Sequence, residues 1–191
     1  MGVEQGPDGR RRCWWCLGSE DYLAYHDREW GRELHGEAEL FERLTLEAFQ
    51  SGLSWLTILR KRKRFREAFD RFEVERVAEY GDADVDRLLA DAGIVRNRKK
   101  IEAAITNARA TRAMHAEGDT LDELLWSHAD SAGSRPAPRS GRDLEPYSPE
   151  AKELAKELRR RGFVFVGPTT VYSTMEAIGI VNDHLAECEF R

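Results

Sequence analysis

Residues 84–118, "DVDRLLADAGIVRNRKKIEAAITNARATRAMHAEG", decide the fold. Val85, Leu88, Leu89 and Ala92 recur at helical spacing up to Gly93; good helix formers resume after Asn97 and stop at Gly118. Two helices joined by a short glycine-containing turn are expected. Outward from this pair the same period persists. "EAELFERLTLEAFQ" (37–50) sets Leu40, Phe41, Leu44 and Ala48 on one stripe, and "FREAFDRF" (65–72) is expected to carry helix through Phe65, Phe69 and Phe72. "SPEAKELAKELRRRG" (148–162) opens with Ser148 as N-cap and Pro149 at the first helical position, and closes on Gly162. The alternation of a half-buried strand is nearly absent, "FVFVG" (163–167) being the one strand-like piece. The expected fold class is all-α.

With 191 residues, 41% hydrophobic and 34% charged, the chain is long enough for one domain with a real core. It carries no apolar run of the ~20 residues a membrane span needs. Its start, "MGVEQGPDGRRRC", lacks the apolar block of a signal peptide. A cytoplasmic location, no membrane partner and a monomer are therefore expected, with residues 1–12 as a flexible extension ahead of a unit spanning 13–191. "HADSAGSRPAPRSGRDLEPY" (128–147), rich in proline and poor in apolar residues, reads as a mobile loop within that unit. Three cysteines are too few and too odd in number for a disulfide scaffold, so metal binding or packing is the better reading.

Four groupings could carry chemistry. Cys13, Cys16 and His26 near one end, with His184 and Cys188 near the other, offer five candidates for the four places of a tetrahedral zinc site. The spacing in "NDHLAEC" is expected to place His184 and Cys188 on one helical face. Packed thiols and two ordinary histidines are the alternative. The net charge of −5 argues mildly against a nucleic-acid partner, but positive residues cluster at Arg10–Arg12, Arg60–Arg66, Arg96–Lys100 and Arg159–Arg161. Each cluster is also explained by a solvated helix face. The turn "DAGIVRNRKK" (91–100), with Gly93, Val95, Arg96, Arg98 and Lys99, has the layout of a helix-hairpin-helix element whose amides and cations grip a DNA phosphate. The same layout occurs in αα-hairpins that meet no nucleic acid. Finally, Glu47 lies three residues after Leu44 and seven after Leu40, on the apolar stripe. A carboxylate there needs donors, a cation or a proton. Trp14, Trp15, Tyr22, Tyr25, Trp30 and Trp55 supply aromatic walls, suited to a flat cationic ring. A nearby arginine pairing with Glu47 is the plainer alternative.

"CWWCLGSEDYLAYHDREWG", "LTLEAFQSGLSW", "DAGIVRNRKKIEAAITNA" and "RRGFVFVGPTTVYSTMEAIGIVNDHLAEC", in this order, closely resemble the 3-methyladenine DNA glycosylase I family of alkylation repair enzymes. The resemblance runs from Cys13 to Cys188. It implies a helix-hairpin-helix glycosylase fold with a zinc-binding lobe built from residues 13–35 and 165–191, around a core of 36–164. It implies structural zinc on Cys13, His26, His184 and Cys188, with Cys16 left over and Asp27 and Trp30 as supports. It also implies Glu47 as the catalytic carboxylate, accepting hydrogen bonds from a flipped 3-methyladenine. Tyr25, Trp55, Trp15, Tyr172 and Ser173 are then expected around the base, and Leu53, after Gly52, as a wedge in the emptied duplex site. The expected reaction is hydrolysis of the N-glycosidic bond in alkylated double-stranded DNA, leaving an abasic site. Two rivals are a non-catalytic zinc-stabilised DNA-binding module, which has no use for a buried Glu47, and a lyase acting through Lys99 or Lys100.

Overall fold

A computed structural model describes residues 1–129 and 135–191. Its helices are α1 (Glu20–Arg28), α2 (Glu37–Gln50), α3 (Trp55–Ala68), α4 (Val74–Ala78), α5 (Asp82–Ala90), α6 (Arg98–Glu117), α7 (Leu121–Trp126), α8 (Pro149–Arg160) and α9 (Pro168–Ala177). Local chemistry sets their limits. Ser19, Ser54, Asn97 and Ser148 each accept a hydrogen bond from a backbone N–H three residues on, at the starts of α1, α3, α6 and α8. Gly118, at φ +89°, closes α6 in the left-handed conformation.

The centre is α2. Leu40, Phe41, Leu44, Leu46 and Phe49 on it are fully buried, and Phe49 meets Phe65 of α3 edge to face at 4.8 Å between ring centroids. α3 does not run on through Phe72 as its apolar spacing suggested. The chain turns after Ala68 into a short 3-10 segment, Asp70–Phe72, whose three residues all have positive φ. Phe69 and Phe72 thereby stack on each other at 5.5 Å inside the core. The aromatic stripe is real, and packing rather than helix continuity produces it.

Two strands depart from an all-α fold. Val3–Gln5 (β1) pairs antiparallel with Arg11–Cys13 (β2), Val3 opposite Cys13. Residues expected to be a flexible extension are thus paired, and Trp14 N–H donates to the Gly2 carbonyl. The C-terminal tail joins the same edge through Glu189 N–H to the Arg11 carbonyl. Of the stretch expected to be a mobile loop, residues 130–134 lie outside the described residues. Beyond them, Ala186 N–H donates to the Pro138 carbonyl and Gly141 N–H to the Met1 carbonyl. No helix among the described residues is long and apolar enough to cross a membrane.

Candidate functional site

β2, α1 and the tail converge on four buried side chains. The ligand atoms of Cys13, His26, His184 and Cys188 all lie within 4.8 Å of one another. Cys188 Sγ is 3.4 Å from His184 Nδ1 and 3.5 Å from His26 Nε2, and Cys13 Sγ is 4.0 Å from His184 Nδ1. Tetrahedral zinc, with bonds of about 2.0–2.3 Å, requires neighbouring ligand atoms about 3.3–3.8 Å apart, close to this arrangement. The other imidazole nitrogens are held as a metal ligand's should be. His26 Nδ1 is 2.8 Å from Asp27 Oδ1, and His184 Nε2 is 3.0 Å from the Trp30 carbonyl. Gly31, at φ +73°, lets the backbone pass the His184 ring, where a Cβ would sit 3.1 Å from Cδ2. Cys16 is buried and turned away, its thiol donating to the Cys13 carbonyl at 3.1 Å, which resolves the surplus of candidates. His184 and Cys188 do not share a helix face as their spacing suggested. α9 ends at Ala177, and turns carry both residues into the cluster, Cys188 N–H donating to the Leu185 carbonyl.

Beside this cluster a cavity of about 280 Å³ opens between α1, α2, α3 and α9. Its walls include Trp15, Tyr22, Tyr25, Trp30 and Trp55, and Trp15 meets Trp30 edge to face at 4.9 Å. Glu47 reaches in from α2, 6% exposed, and among the described residues no donor bonds its carboxylate. Burial pushes its pKa up to about 8, with the charge of Arg43 opposing. Arg43 does not form the ion pair the plainer reading required. Its guanidinium donates to Glu29 Oε2 at 2.6 Å, and Arg62 donates to the same carboxylate. The Trp55 indole Nε1 is also buried without an acceptor among the described residues. Among the described residues the cavity therefore presents an unpaired acceptor, Glu47, between aromatic walls, one of which, Trp55, keeps a buried N–H without an acceptor.

Ser173 lines the cavity as expected, but Tyr172 does not. One residue further around α9, Tyr172 turns away and donates to Asp183 Oδ2 at 2.7 Å while accepting from Arg135. Glu176 and Gln50 line the cavity and were missed. Burial and the neighbouring Asp183 and Glu47 push the Glu176 carboxyl well above its ordinary range. A signal for Glu176 was present, because it follows Ser173 by three residues and shares its helix face. A second cavity of about 290 Å³ shares Glu47, Gln50 and Ser173 and extends to Gly52 and Leu53. Leu53 is 42% exposed, on a loop where Gly52 has φ +79°.

The turn between α5 and α6 lies apart from the cavity. Asp91 Oδ1 accepts from Gly93 N–H, and Ile94 anchors the turn in the core. Lys61 and Arg64 of α3 bind its other side, at the Ala92 and Gly93 carbonyls and at Asp91. Among the described residues the N–H groups of Val95 and Arg96 have no protein acceptor. The basic clusters divide here. In Arg60–Arg66 every arginine is ion-paired within the chain, to Asp21, Glu29, Asp91, Glu67 or Glu42. Arg160 and Arg161 likewise pair with Glu157, and Arg98 with Asp86. Arg96 and Lys99 are exposed and make no ion pair among the described residues. Lys100 is buried, its ammonium donating to the carbonyls of Phe49 and Ser51 at the end of α2.

A family model described as methyladenine glycosylase matches residues 15–191. The chain is similar to a DNA-3-methyladenine glycosylase of Haemophilus influenzae, 39% identical over 180 residues, covering 93% of this chain and 96% of that protein. A crystal structure of a 3-methyladenine DNA glycosylase I superposes with a TM-score of 0.90 at 43% identity, covering 93% of this chain and 98% of the other. A tyrosine-to-phenylalanine variant of such an enzyme, in complex with 3-methyladenine, superposes at 0.87 with 37% identity, covering 94% and 96%.

Proposed function

The chain belongs to the methyladenine glycosylase family, and from that premise and the site's geometry we propose that it excises 3-methyladenine from alkylated duplex DNA by hydrolysis. Methylation at N3 makes the ring cationic, weakens the glycosidic bond and lets the base leave without a proton from the enzyme. Recognition then carries most of the catalysis. The extruded base enters the 280 Å³ cavity, where its positive charge is met by Glu47 and by the faces of Tyr25, Trp55 and Trp15. The carboxylate accepts from the ring's amino group, and water takes the sugar carbon as the bond breaks, leaving an abasic site and free base. Ser173 lies where the second cavity adjoins the first, beside the sugar's expected path.

We read the α5–α6 pair as a helix-hairpin-helix element. The amides of Val95 and Arg96, which have no protein acceptor among the described residues, with Arg96, Arg98 and Lys99 around them, suit a duplex phosphate, while Gly93 leaves room for the Arg64 stem that packs on the turn. Leu53, exposed on the Gly52 loop at the cavity's edge, is the wedge that fills the vacated stack. Cys13, His26, His184 and Cys188 suit zinc. The metal would fasten the two chain ends together, and four protein ligands leave no position for a reactive water. Residues 13–35 and 165–191 form that lobe on a core of 36–164, and the protein acts as a cytoplasmic monomer.

One observation carries the reading: a buried carboxylate with no donor among the described residues, on a cavity walled by aromatic rings. The test is chromatography of free base released from methylated duplex DNA. Wild type is expected to release 3-methyladenine and Glu47→Gln far less. Folded, DNA-binding protein that releases none would leave the non-catalytic module as the better account.

A further inference from the structure

Arg12 is 4% exposed although it sits on an edge strand of a two-stranded hairpin. An arginine so placed needs partners for its guanidinium, or its burial is destabilising. Two carboxylates supply them. Its Nε lies 3.0 Å from Asp27 Oδ1 and its second amino nitrogen 2.8 Å from Asp27 Oδ2, a bidentate grip. The same amino nitrogen reaches Asp8 Oδ2, at the hairpin tip, at 2.8 Å. Phe190, two residues past Cys188, covers the cation, the guanidinium carbon 4.5 Å from the ring centroid. Asp27 Oδ1, which takes Arg12 Nε, is also the oxygen 2.8 Å from His26 Nδ1. The chain of contacts therefore runs from the hairpin tip through Arg12 and Asp27 to the ring of His26, whose Nε2 faces the cluster.

We propose that Arg12 is a positioning residue for the metal centre: it fixes Asp27, which holds His26 with Nδ1 protonated and Nε2 free to bind, and it latches the tip of the hairpin that carries Cys13 to that same carboxylate. The inference rests on the reading of Cys13, His26, His184 and Cys188 as a zinc site. Arg12 is neither one of the four candidate ligands nor a residue lining the cavity, and the whole hairpin, residues 3–13, precedes the segment the family model matches, which begins at Trp15. Its effect falls on retention. Outer partners of ligating histidines change metal affinity by about 10–100-fold when removed, and a latch acts mainly on the rate of escape.

The experiment is zinc transfer from loaded full-length protein to an excess of a chromophoric chelator, with wild type, Arg12→Met and Asp27→Asn compared. Arg12→Met keeps the apolar stem and removes the charge. The expected result is one zinc per wild-type chain, released roughly 10–100-fold faster from both variants. Cobalt-substituted protein gives a second readout: a reoriented His26 shifts the tetrahedral ligand-field bands and leaves the thiolate-to-cobalt charge-transfer bands of Cys13 and Cys188 as in wild type, whereas a general loosening of the hairpin, which carries Cys13, weakens both. Arg12→Lys, one charge without the fork, should restore release only in part. Where Arg12→Met fails to fold, Asp8→Asn removes the guanidinium's other partner and should still speed release several-fold. Wild-type release rates in all variants that fold would overturn the role of Arg12 and leave the metal reading standing. Wild type that binds no zinc would overturn both.

Discussion

Replacing Glu47 by glutamine should make the protein more stable and less active, and the two effects share one cause. In the folded chain burial holds the Glu47 pKa at about 8, against an ordinary value of 4.5. A raised carboxyl pKa gives stability that is fully present below pH 4.5 and is lost as pH climbs through 8, since the unfolded chain ionises freely while the cavity resists the charge. Each pH unit in that window costs about 1.4 kcal/mol. Glutamine keeps the shape and cannot ionise. The variant's advantage should therefore grow from roughly 1–2 kcal/mol at pH 5.5 to roughly 4 kcal/mol at pH 7.5, and at 2–4 °C per kcal/mol for a chain of this size the melting temperatures should separate by about 10 °C at the higher pH. Urea and thermal unfolding of both proteins at the two pH values measure it. Base release should move the other way, falling roughly 10–100-fold with loss of a charged hydrogen bond worth about 1.5–3 kcal/mol. In wild type kcat/KM should rise with pH and level off above about 8, as Glu47 becomes ionised. A glutamine variant that is less stable at pH 7.5, or whose advantage does not change with pH, would refute the reasoning.

Leu53→Ala should leave unfolding within about 0.5 kcal/mol of wild type, since the side chain is exposed; base release should fall on duplex far more than on single-stranded substrate, and equal losses on both would remove its wedge role. Neutralising Lys99 or Arg96 should lower the slope of log affinity against log salt by about 1 each; a change at Arg62, already paired with Glu29, should leave the slope as it was. Borohydride treatment during turnover should trap no protein–DNA adduct, because the Lys100 ammonium is taken up by the Phe49 and Ser51 carbonyls and Lys99 lies at the start of α6, outside the cavity; a trapped adduct would restore the lyase reading.

Local codes in the sequence identified the helices well where a cap and an apolar stripe agree, as at Ser148–Pro149 and from Asn97 to Gly118. They failed where tertiary packing sets the backbone. Nothing in "FDRF" announces three consecutive positive φ values, which exist because Phe69 and Phe72 gain more by stacking in the core than by continuing α3. His184 and Cys188 have helical spacing, and turns bring them together instead. The first twelve residues look loose in composition, yet their order depends on Asp27 and the tail, which are remote in sequence. In the cavity, Glu47 was legible because a charge on an apolar stripe is anomalous. Tyr172 was misplaced and Glu176 overlooked, because facing the cavity depends on how α9 is rotated about its axis, which resemblance does not give.

The buried ammonium of Lys100 has a mechanical consequence. It belongs to the first turn of α6, directly after the Val95–Lys99 stretch, and it holds the carbonyls at the end of α2, from which the Gly52–Leu53 loop departs. The parts assigned to the phosphate and to the emptied stack are thus bolted to one another at a fixed separation. On the roles proposed above, a duplex laid across both would meet an anvil, and the bending would fall to the DNA. Undamaged pairs would resist that bend through their stacking, while a lesion that has lost part of its stacking would yield, so the fold would sort bases by stiffness before the cavity inspected any of them.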